Sequence, residues 1–474
     1  RPRAAGALRS EARMTLAAPR AVDWSGPVAL PMGGELDVQA ACGLMHVHGR
    51  RFGRPTRLGL DYASIVAAEL AAAGVAAVEL GRARGVALRR ATTSVAQAAL
   101  LAVAQYLATA TAERWPEPFL PGGPPFVSAD GVPFELEAPD ARVWRRFWAA
   151  LGAAGRVVER GWRPFPHRYA TATCPLPAEL TALTSRTAIH VLENAARATG
   201  MSLVRVSSRV VGHLPPYRLA SLGGAPPLPP PAGPLPLSGL VVLESCRRVQ
   251  GPLAGHLLGL LGASVVRVEP PGGDPARGAP PLVGGCSARF LALNRGKEVR
   301  QADLSTVAGR RAVLELASGA DVFLHDWAPG KAAAWSLRAK DVARVRPGVV
   351  HAHASGWGDE LGPKPPLGTD FAVQAHAGVP PTLMTVVDVF GGLVAAHGVV
   401  AALLRRVRTG RGQSVETSLL SAASRLNARS RGRCTAPLRV PVCTDLAALA
   451  RDPRFARALV RDGCAFPASP WEFT

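Results

Sequence analysis

The amino-acid sequence predicts an α/β protein with an open parallel sheet, covered by helices, and a smaller α+β lobe before it. After residue 237, apolar strand-like runs alternate with helical segments, which is typical of a parallel sheet with crossover helices. Before residue 223 the strand and helix signals follow a different order. A chain of 474 residues is long enough for two or three domains.

The parallel sheet is predicted by a βαβ pattern. The segments "GLVVLES", "CRRVQGPLAGHLLGLLG" and "ASVVRVEPPGGD" indicate a strand, a loop with a helix, and a second strand. Gly251, Gly255 and Gly259 recur every four residues, so one bare face of this helix can approach the sheet closely. The segment has no GxGxxG, P-loop or GxSxG motif, so neither dinucleotide binding nor a hydrolase elbow is indicated.

Sequence patterns in the N-terminal half predict the smaller α+β lobe and the helical region before it. An Ala-rich helical region covers about 61–112, the turn Ala129-Asp130-Gly131 between apolar runs predicts a hairpin, and an amphipathic helix begins near Asp140. The segment "GGAPPLPPPAGPLP", residues 223–236, is too rich in proline for helix or inner strand and predicts an extended linker.

Composition narrows the function classes. Lys and Arg number 55 against 34 Asp and Glu, a net charge of +21, but the excess is arginine spread along the chain and aromatics are sparse, so nucleic-acid binding is not indicated. Seven cysteines without a CxxC pair indicate neither a zinc site nor a disulfide framework, and favour the cytoplasm. No apolar run is expected to span a membrane.

Two segments indicate an internal repeat: "PTRLGLDYASIVAAELAAAGVAAVELGRARG" (55–85) and "PTLMTVVDVFGGLVAAHGVVAALLRRVRTGRG" (381–412). When they are aligned on Asp61 and Asp388, an Arg-Gly pair follows each acid at the same distance, 23 residues on. The same alignment pairs Asp23 with Asp370 and makes the second copy shorter by 20 residues in between. The predicted segments are a partial N-terminal repeat (1–125), the small lobe (126–222), the linker (223–236), a Rossmann-like domain (237–426) and a short tail (427–474).

The second half resembles the family III CoA-transferases of the CaiB/BaiF type, which include formyl-CoA and carnitine CoA-transferases and α-methylacyl-CoA racemases. The resemblance rests on "LSGLVVLES", "VQGPLAG", "LGASVVRVEPPGGDPARG", "LNRGKE", "GTDFAVQAHAG" and "RTGRGQSVETSLLSAA", in the family's order. It implies the family's Rossmann-like sheet, an interlocked homodimer, and acyl-CoA and carboxylic acid substrates, with CoA as a substrate moiety and no resident cofactor or metal.

The resemblance makes Asp388 the catalytic nucleophile. A carboxylate can carry an acyl group as an anhydride and CoA as a thioester, and an apolar pocket would protect both from water. Gly391 and Gly392 would give the thioester room and leave backbone N–H groups for an oxyanion. Asp61 has no such glycines and is expected to be a relic or a structural acid. Without the resemblance, a helix N-cap is the simpler interpretation of Asp388.

The resemblance also implies a CoA site. The matching positions are Val249, Gln250, Lys297, Asp326, Trp327 and Ala328. From the residues alone, Gln250 is equally a loop amide, Lys297 a surface lysine and Trp327 a core side chain. The lobe at 126–222 is expected to pack over the second copy's site, because the tail is too short to form one.

Departures from the family leave alternatives open. Arg248 stands where relatives often have His, and Ala334 where a basic residue is common. Thr369 replaces the His that the racemases use as a base, which disfavours racemisation. The leading prediction is an acyl-CoA:carboxylate CoA-transferase. The alternatives are CoA transfer or isomerisation within one acyl-CoA, and a degenerate CoA-binding protein.

Overall fold

The computed structural model describes residues 22–112, 119–362, 364–428 and 437–474. Cys434, the first 21 residues of the predicted repeat and part of the joint near 115–125 lie outside this range. No disulfide links the cysteines that lie inside it.

The N-terminal part is helical, and the C-terminal tail completes it. Its elements are α1 (Glu35–Ala41), α2 (Leu44–Gly49), α3 (Tyr62–Ala83), β1 (Ala91–Thr92) and α4 (Val95–Thr111). The lobe follows with β2 (Phe126–Val127), β3 (Pro133–Glu137), α5 (Ala141–Ala150), α6 (Gly155–Trp162), α7 (Pro164–Thr171), α8 (Ala178–Ser185), α9 (Ile189–Thr199) and β4 (Ser202–Arg205). The predicted hairpin is confirmed as β2 and β3, and Asp140 caps the predicted amphipathic helix α5.

The sheet domain begins with a strand that precedes the linker, β5 (Arg218–Gly224), which crosses the boundary predicted between lobe and linker. The next elements are β6 (Val241–Ser245), α10 (Gln250–Leu260), β7 (Ser264–Glu269), β8 (Leu282–Val283), β9 (Cys286–Ser287), α11 (Ala288–Asn294), β10 (Glu298–Gln301), α12 (Val307–Ser318) and β11 (Val322–His325). They are followed by α13 (Lys331–Ala334), α14 (Ala339–Val345), β12 (Val350–Ser355), α15 (Asp370–Ala377), α16 (Val386–Thr409), β13 (Arg411–Ser418) and α17 (Leu419–Ala428).

The large sheet has the strand order β10-β7-β6-β11-β12-β13-β5. All neighbours are parallel except β13 and β5, which run antiparallel. The chain leaves β6 toward β7 on one side and later returns to β11 on the other, so the sheet has a topological switch point between β6 and β11. Ligands of such folds bind beyond the carboxyl ends of the strands at this point.

The glycines of α10 allow the helix to reach the sheet, as predicted. A methyl group on Gly251 would lie 2.5 Å from Cys246 Sγ, and one on Gly255 would lie 1.8 Å from Glu244 Oε2. Any larger side chain would therefore lift this helix off the sheet.

The tail consists of α18 (Leu446–Arg451), β14 (Leu459–Asp462), β15 (Cys464–Pro467) and β16 (Glu472–Phe473). It packs on α4, and β16 pairs with β1. The tail is therefore built into the N-terminal copy rather than forming a lobe of its own.

Two helices pack side by side at the centre, α3 of the first copy and α16 of the second. Both are long and apolar enough to cross a membrane, so the expectation that no apolar run reaches that length is wrong. Their apolar windows are 61% and 94% buried inside the structure, however, which is also what core helices show. Polar groups join them: His397 Nδ1 lies 2.7 Å from Glu69 Oε1.

Candidate active site

A large cavity lies at the carboxyl ends of β6, β11, β12 and β13 and measures about 800 Å³. Five predicted site residues line it: Gln250, Asp326, Trp327, Ala328 and Asp388. The cavity therefore sits at the topological switch point, where the fold predicts a ligand. Within the described ranges, no group of three or more His, Cys, Asp or Glu side chains is arranged to hold a metal ion.

Asp388 is the third residue of α16, and the N-cap of that helix is Thr385. The interpretation of Asp388 as a helix cap is therefore wrong. The side chain is half-buried and faces the cavity. Burial raises the pKa of Asp388 to about 7; the charge of Arg248 lowers it in part, and that of Glu137 adds to the rise.

Asp370, at the start of α15, holds the beginning of α16. Its Oδ2 accepts a hydrogen bond of 2.6 Å from the backbone N–H of Asp388, and its Oδ1 accepts one from Gln374 Nε2 at 2.5 Å. Burial, together with the neighbouring charge of Asp388, raises the pKa of Asp370 well above its usual range. Asp370 therefore positions Asp388 through its backbone N–H. The two carboxyl groups also act on each other's charge, since Asp388 raises the pKa of Asp370.

The loop between β6 and α10 brings two side chains to Asp388. Arg248 adopts a positive φ of 66°, which non-glycine residues seldom do. Gln250 Nε2 is buried and has no hydrogen-bond partner in the described part of the chain. A methyl group on Gly391 would lie 3.1 Å from this nitrogen, so the free amide donor lies beside the first turns of α16. An unsatisfied buried donor is costly unless a ligand accepts from it.

The loop after β11 forms the opposite wall. Both carboxylate oxygens of Asp326 accept from the backbone N–H of Arg247, at 3.1 and 2.9 Å. Burial raises the pKa of Asp326 to about 7. Trp327 is half-buried and donates from Nε1 to Ser245 Oγ at 3.1 Å, so its indole is fixed as part of the cavity wall.

His353 and Glu416 face the cavity on neighbouring strands and were not singled out from the sequence as functional. His353 Nδ1 lies 2.9 Å from Glu416 Oε2, and its Nε2 lies 3.2 Å from the carbonyl oxygen of Trp327. Burial lowers the pKa of His353, but the bond to Glu416 and its charge outweigh burial and raise it overall. Since both ring nitrogens face acceptors, the charged ring satisfies both and ties the Trp327 loop to β12.

Lys297 does not line the cavity. Its ammonium group is buried and bonds to Glu244 Oε2 at 2.7 Å, to the carbonyl of Pro252 at 2.7 Å and to Asn294 Oδ1 at 3.0 Å. These three acceptors use all three N–H groups. The expectation that Lys297 pairs with a CoA phosphate therefore does not fit its position, and its role is to join α10 and α11 to β6.

Val249, Gly391 and Gly392 also lie outside the cavity wall. Val249 is the buried N-cap of α10. A methyl group on Gly392 would lie 2.7 Å from the backbone oxygen of Gln250, so these glycines allow α16 to touch α10. Their N–H groups belong to the helix and point to carbonyls four residues earlier, which corrects the expectation that they are free for an oxyanion.

The lobe does pack against the second copy's site. Glu137 on β3 accepts hydrogen bonds from Thr369 Oγ1 at 2.8 Å and from Arg168 Nη2 at 3.2 Å, and Tyr169 also donates to it. Thr369 lines the cavity next to Asp370. Because Glu137 is more than 200 residues away in sequence, no local pattern could have placed it here.

The structure corrects the repeat alignment. Glu35 Oε2 accepts from the backbone N–H of Ser64 at 2.7 Å, just as Asp370 Oδ2 accepts from that of Asp388. The N-caps Asp61 and Thr385 share one conformation, with φ and ψ of −82° and 59° against −80° and 58°. Ser64, not Asp61, is therefore the counterpart of Asp388, and Glu35, not Asp23, is that of Asp370.

The corrected pairs change the length comparison. The two positions are 29 residues apart in the first copy (64 minus 35) and 18 apart in the second (388 minus 370), so the second copy is shorter by 11 residues rather than 20. Asp61 instead lies 3.8 Å from Arg57 Nη2 in an ion pair.

Comparison with known proteins identifies the family of the chain. The model for "CoA-transferase family III" matches residues 21–209 and 237–442. The chain therefore belongs to CoA-transferase family III. The two matched segments also bear out the partial copy in the N-terminal half.

Individual relatives match part of the chain. The succinyl-CoA:glutarate CoA-transferase of Mus musculus is 34% identical over 201 residues, 39% of this chain and 46% of that protein. A probable fatty acyl-CoA transferase of Mycobacterium tuberculosis is 36% identical over 213 residues, 41% of this chain and 52% of that protein. A solved CAIB/BAIF family protein from Brucella suis is 32% identical, covering 40% of this chain and 55% of the other, with a TM-score of 0.38. The chain spans about half the length of these curated relatives.

Proposed function

We propose that this chain is an acyl-CoA:carboxylate CoA-transferase in which Asp388 is the covalent nucleophile. The observation that carries the proposal is a carboxyl group with a pKa raised to about 7, on the wall of a large cavity at the switch point of the sheet. Burial makes the ionised group poorly solvated and therefore a better nucleophile than an acid in water. The similarity to a succinyl-CoA:glutarate CoA-transferase supports a carboxylic acid acceptor and an acyl-CoA donor.

The proposed reaction has two halves. A carboxylate oxygen of Asp388 attacks the acyl carbon of the donor; the C–S bond breaks and its electron pair leaves on the CoA thiolate, giving an anhydride. The thiolate then attacks the aspartyl carbon of Asp388, the C–O bond breaks, and the donor acid leaves as a carboxylate. The product is an aspartyl-CoA thioester.

The acceptor reverses these steps. Its carboxylate attacks the aspartyl thioester and displaces the thiolate, and the thiolate attacks the acyl carbon of the new anhydride. Asp388 leaves as a carboxylate and a new acyl-CoA forms. Charge and protons balance over the cycle without an oxidant, a reductant or a resident cofactor.

Gln250 is the residue we assign to the developing oxyanion. Its Nε2 lacks a partner, is buried and lies beside the turn that follows Asp388. A preorganised donor of this kind stabilises charge that appears only in the transition state. The Trp327 loop, tied by His353 and Asp326, forms the wall against which CoA would lie.

The proposal has two further parts. From the family resemblance we infer that two copies of the chain interlock as a homodimer, and from the unpaired pattern of the seven cysteines that the protein acts in the cytoplasm. Sedimentation velocity of the purified chain measures the first, and a fluorescent fusion measures the second.

The activity is tested by incubating the purified protein with a panel of acyl-CoAs and carboxylic acids and separating the CoA esters by chromatography. The proposal expects a new CoA ester only when an acceptor acid is present, and none with D388N. Rearrangement of one acyl-CoA without an acceptor would instead identify an intramolecular transfer. CoA binding without turnover would identify a degenerate binding protein.

A further inference from the structure

Arg248 is the cavity cation that acts on the nucleophile. It lines the same cavity as Asp388, and its charge lowers the pKa of that acid. Yet no ion pair or hydrogen bond joins the two, or joins the Arg248 guanidinium to any other residue in the described ranges. An unpartnered guanidinium therefore faces the nucleophile across part of the cavity.

The backbone directs this side chain. Arg248 is one of three non-glycine residues with positive φ in the described part of the chain. Residues other than glycine seldom adopt such a conformation, because the side chain then crowds the backbone. The backbone is fixed on both sides of Arg248. Before it, the N–H of Arg247 donates to Asp326, and two residues after it, α10 begins at Gln250. The strained turn thus presents Arg248 to the cavity instead of tucking it into the domain.

Two other cations of the cavity wall have partners: Arg218 Nη2 pairs with Glu360 Oε1 at 2.7 Å, and Lys331 Nζ lies over the Trp335 ring, 5.4 Å from its centre. Arg247 and Lys364 line the cavity as well, but Arg248 is the cation whose charge acts on the pKa of Asp388. Asp388 also feels the opposing charge of Glu137 from the lobe. A small anion bound near the nucleophile therefore finds its complement in Arg248.

We propose that Arg248 binds the non-reacting carboxylate of a short dicarboxylic acid whose other carboxylate reacts at Asp388. This inference rests on the proposed CoA transfer and adds the residue that recognises the second carboxylate of the acid. A guanidinium offers two parallel N–H groups to a carboxylate, which gives both affinity and orientation. Arg248 and Asp388 line the same cavity of about 800 Å³ and no ion pair joins them, so a short carbon chain can lie between the two carboxylates.

The test compares glutarate with pentanoate, two acids of equal carbon number, as acceptors for the wild type, R248M and R248E. R247M is the matched control, because it removes a positive charge one residue away in the same cavity wall. We expect R248M to lower kcat/KM for glutarate by about 10- to 100-fold relative to pentanoate. R247M should leave the ratio of the two acids near its wild-type value, and R248E should favour 5-aminopentanoate over glutarate.

Equal losses for glutarate and pentanoate in R248M would overturn the proposal, as would a loss of acyl-CoA affinity with an unchanged ratio, which would place Arg248 at the CoA phosphates. Calorimetric binding of glutarate and pentanoate to the CoA-saturated protein separates this inference from the proposed function. Selective glutarate binding that R248M abolishes supports the subsite even if the wild type shows no turnover. Absence of selective binding overturns it even if transfer occurs.

Discussion

The two copies place different groups in the same backbone frame. In the second copy, Asp370 on α15 holds the N–H of Asp388, and Gln374 bonds to Asp370 and to the carbonyl of Met384. In the first copy, Glu35 on α1 holds the N–H of Ser64, while Gln39 bonds to Glu35 and to the carbonyl of Leu60. A buried acid, a glutamine four residues later and the start of a long helix thus recur with the same hydrogen bonds.

The difference lies in what the frame presents. Asp388 faces a cavity. Ser64 Oγ instead donates to Glu35 Oε2 at 2.5 Å, so in the first copy the side chain at this position is bonded to the acid that supports the helix. Burial raises the pKa of Glu35 although these hydrogen bonds oppose it. The buried acid beside the helix start, Glu35 or Asp370, is therefore a structural part of both copies. The residue whose N–H it binds, Ser64 or Asp388, determines whether that copy has a reactive side chain.

The strongest test of this difference is the pair D388N and S64A. Because an amide cannot form the anhydride, we expect D388N to lower CoA transfer by roughly 10³-fold or more. S64A should leave transfer unchanged, since Ser64 is bonded inside its own copy. Chromatographic assays of both variants measure this, with circular dichroism to show that each is folded. Equal activity in D388N and the wild type would contradict the assignment.

The supporting acids are compared with D370A and E35A. Each truncation leaves buried donors unpaired, so we expect both to lower the free energy of unfolding by about 1–3 kcal/mol. Only D370A should also lower kcat, by about 10- to 100-fold, because it releases the start of the helix that carries Asp388. Urea denaturation and steady-state kinetics measure the two effects. A comparable loss of kcat in E35A would show that the first copy takes part in catalysis.

The helix contacts are compared with G392A and A68G, since Ala68 is the counterpart of Gly392 in the corrected alignment. A methyl group at 392 would lie 2.7 Å from the Gln250 carbonyl oxygen, and such overpacking costs about 1–3 kcal/mol. A68G should cost about 1 kcal/mol through helix propensity alone. Thermal denaturation compares them, and an unchanged or raised Tm in G392A would show that α10 and α16 are not in tight contact.

The smallest expected effect is on pH dependence. If the ionised form of Asp388 is the nucleophile, as proposed, its pKa of about 7 makes kcat/KM with pentanoate rise with pH and level off above that value. Arg248 favours the charged form, so R248M should move the midpoint to higher pH. R247M serves as the control. A midpoint that stays in place or moves to lower pH would mean that Arg248 does not act on the nucleophile.

Much of the sheet domain could be predicted from sequence, because its strands and helices follow one another locally. The βαβ unit, the glycine face of α10 and the loops that carry Gln250, Asp326 and Trp327 are all local patterns. Their assembly at one cavity follows from the parallel order of the strands.

The remaining features depend on contacts between distant segments. Glu137 reaches Thr369 from the lobe, and β16 pairs with β1 from the opposite end of the chain. The sequence favours an alignment of the repeat on Asp61 and Asp388, because identical residues are visible in a sequence and their positions within a helix are not. The hydrogen bonds of Glu35 and Asp370, together with the matching N-cap conformations, show that Ser64 occupies the position of Asp388 in the first copy. Likewise, Lys297 carries the right charge for a phosphate, but its buried acceptors become visible only in the fold.

The most direct test of the central claim is peptide mass spectrometry of the protein after incubation with short dicarboxylic acyl-CoAs and rapid acid quench. The account predicts a CoA adduct, or its hydroxylamine-trapped product, on Asp388 and none on Ser64, Asp61 or Asp370. An adduct on any of these other residues, or transfer of CoA between acids without an adduct on Asp388, would contradict it.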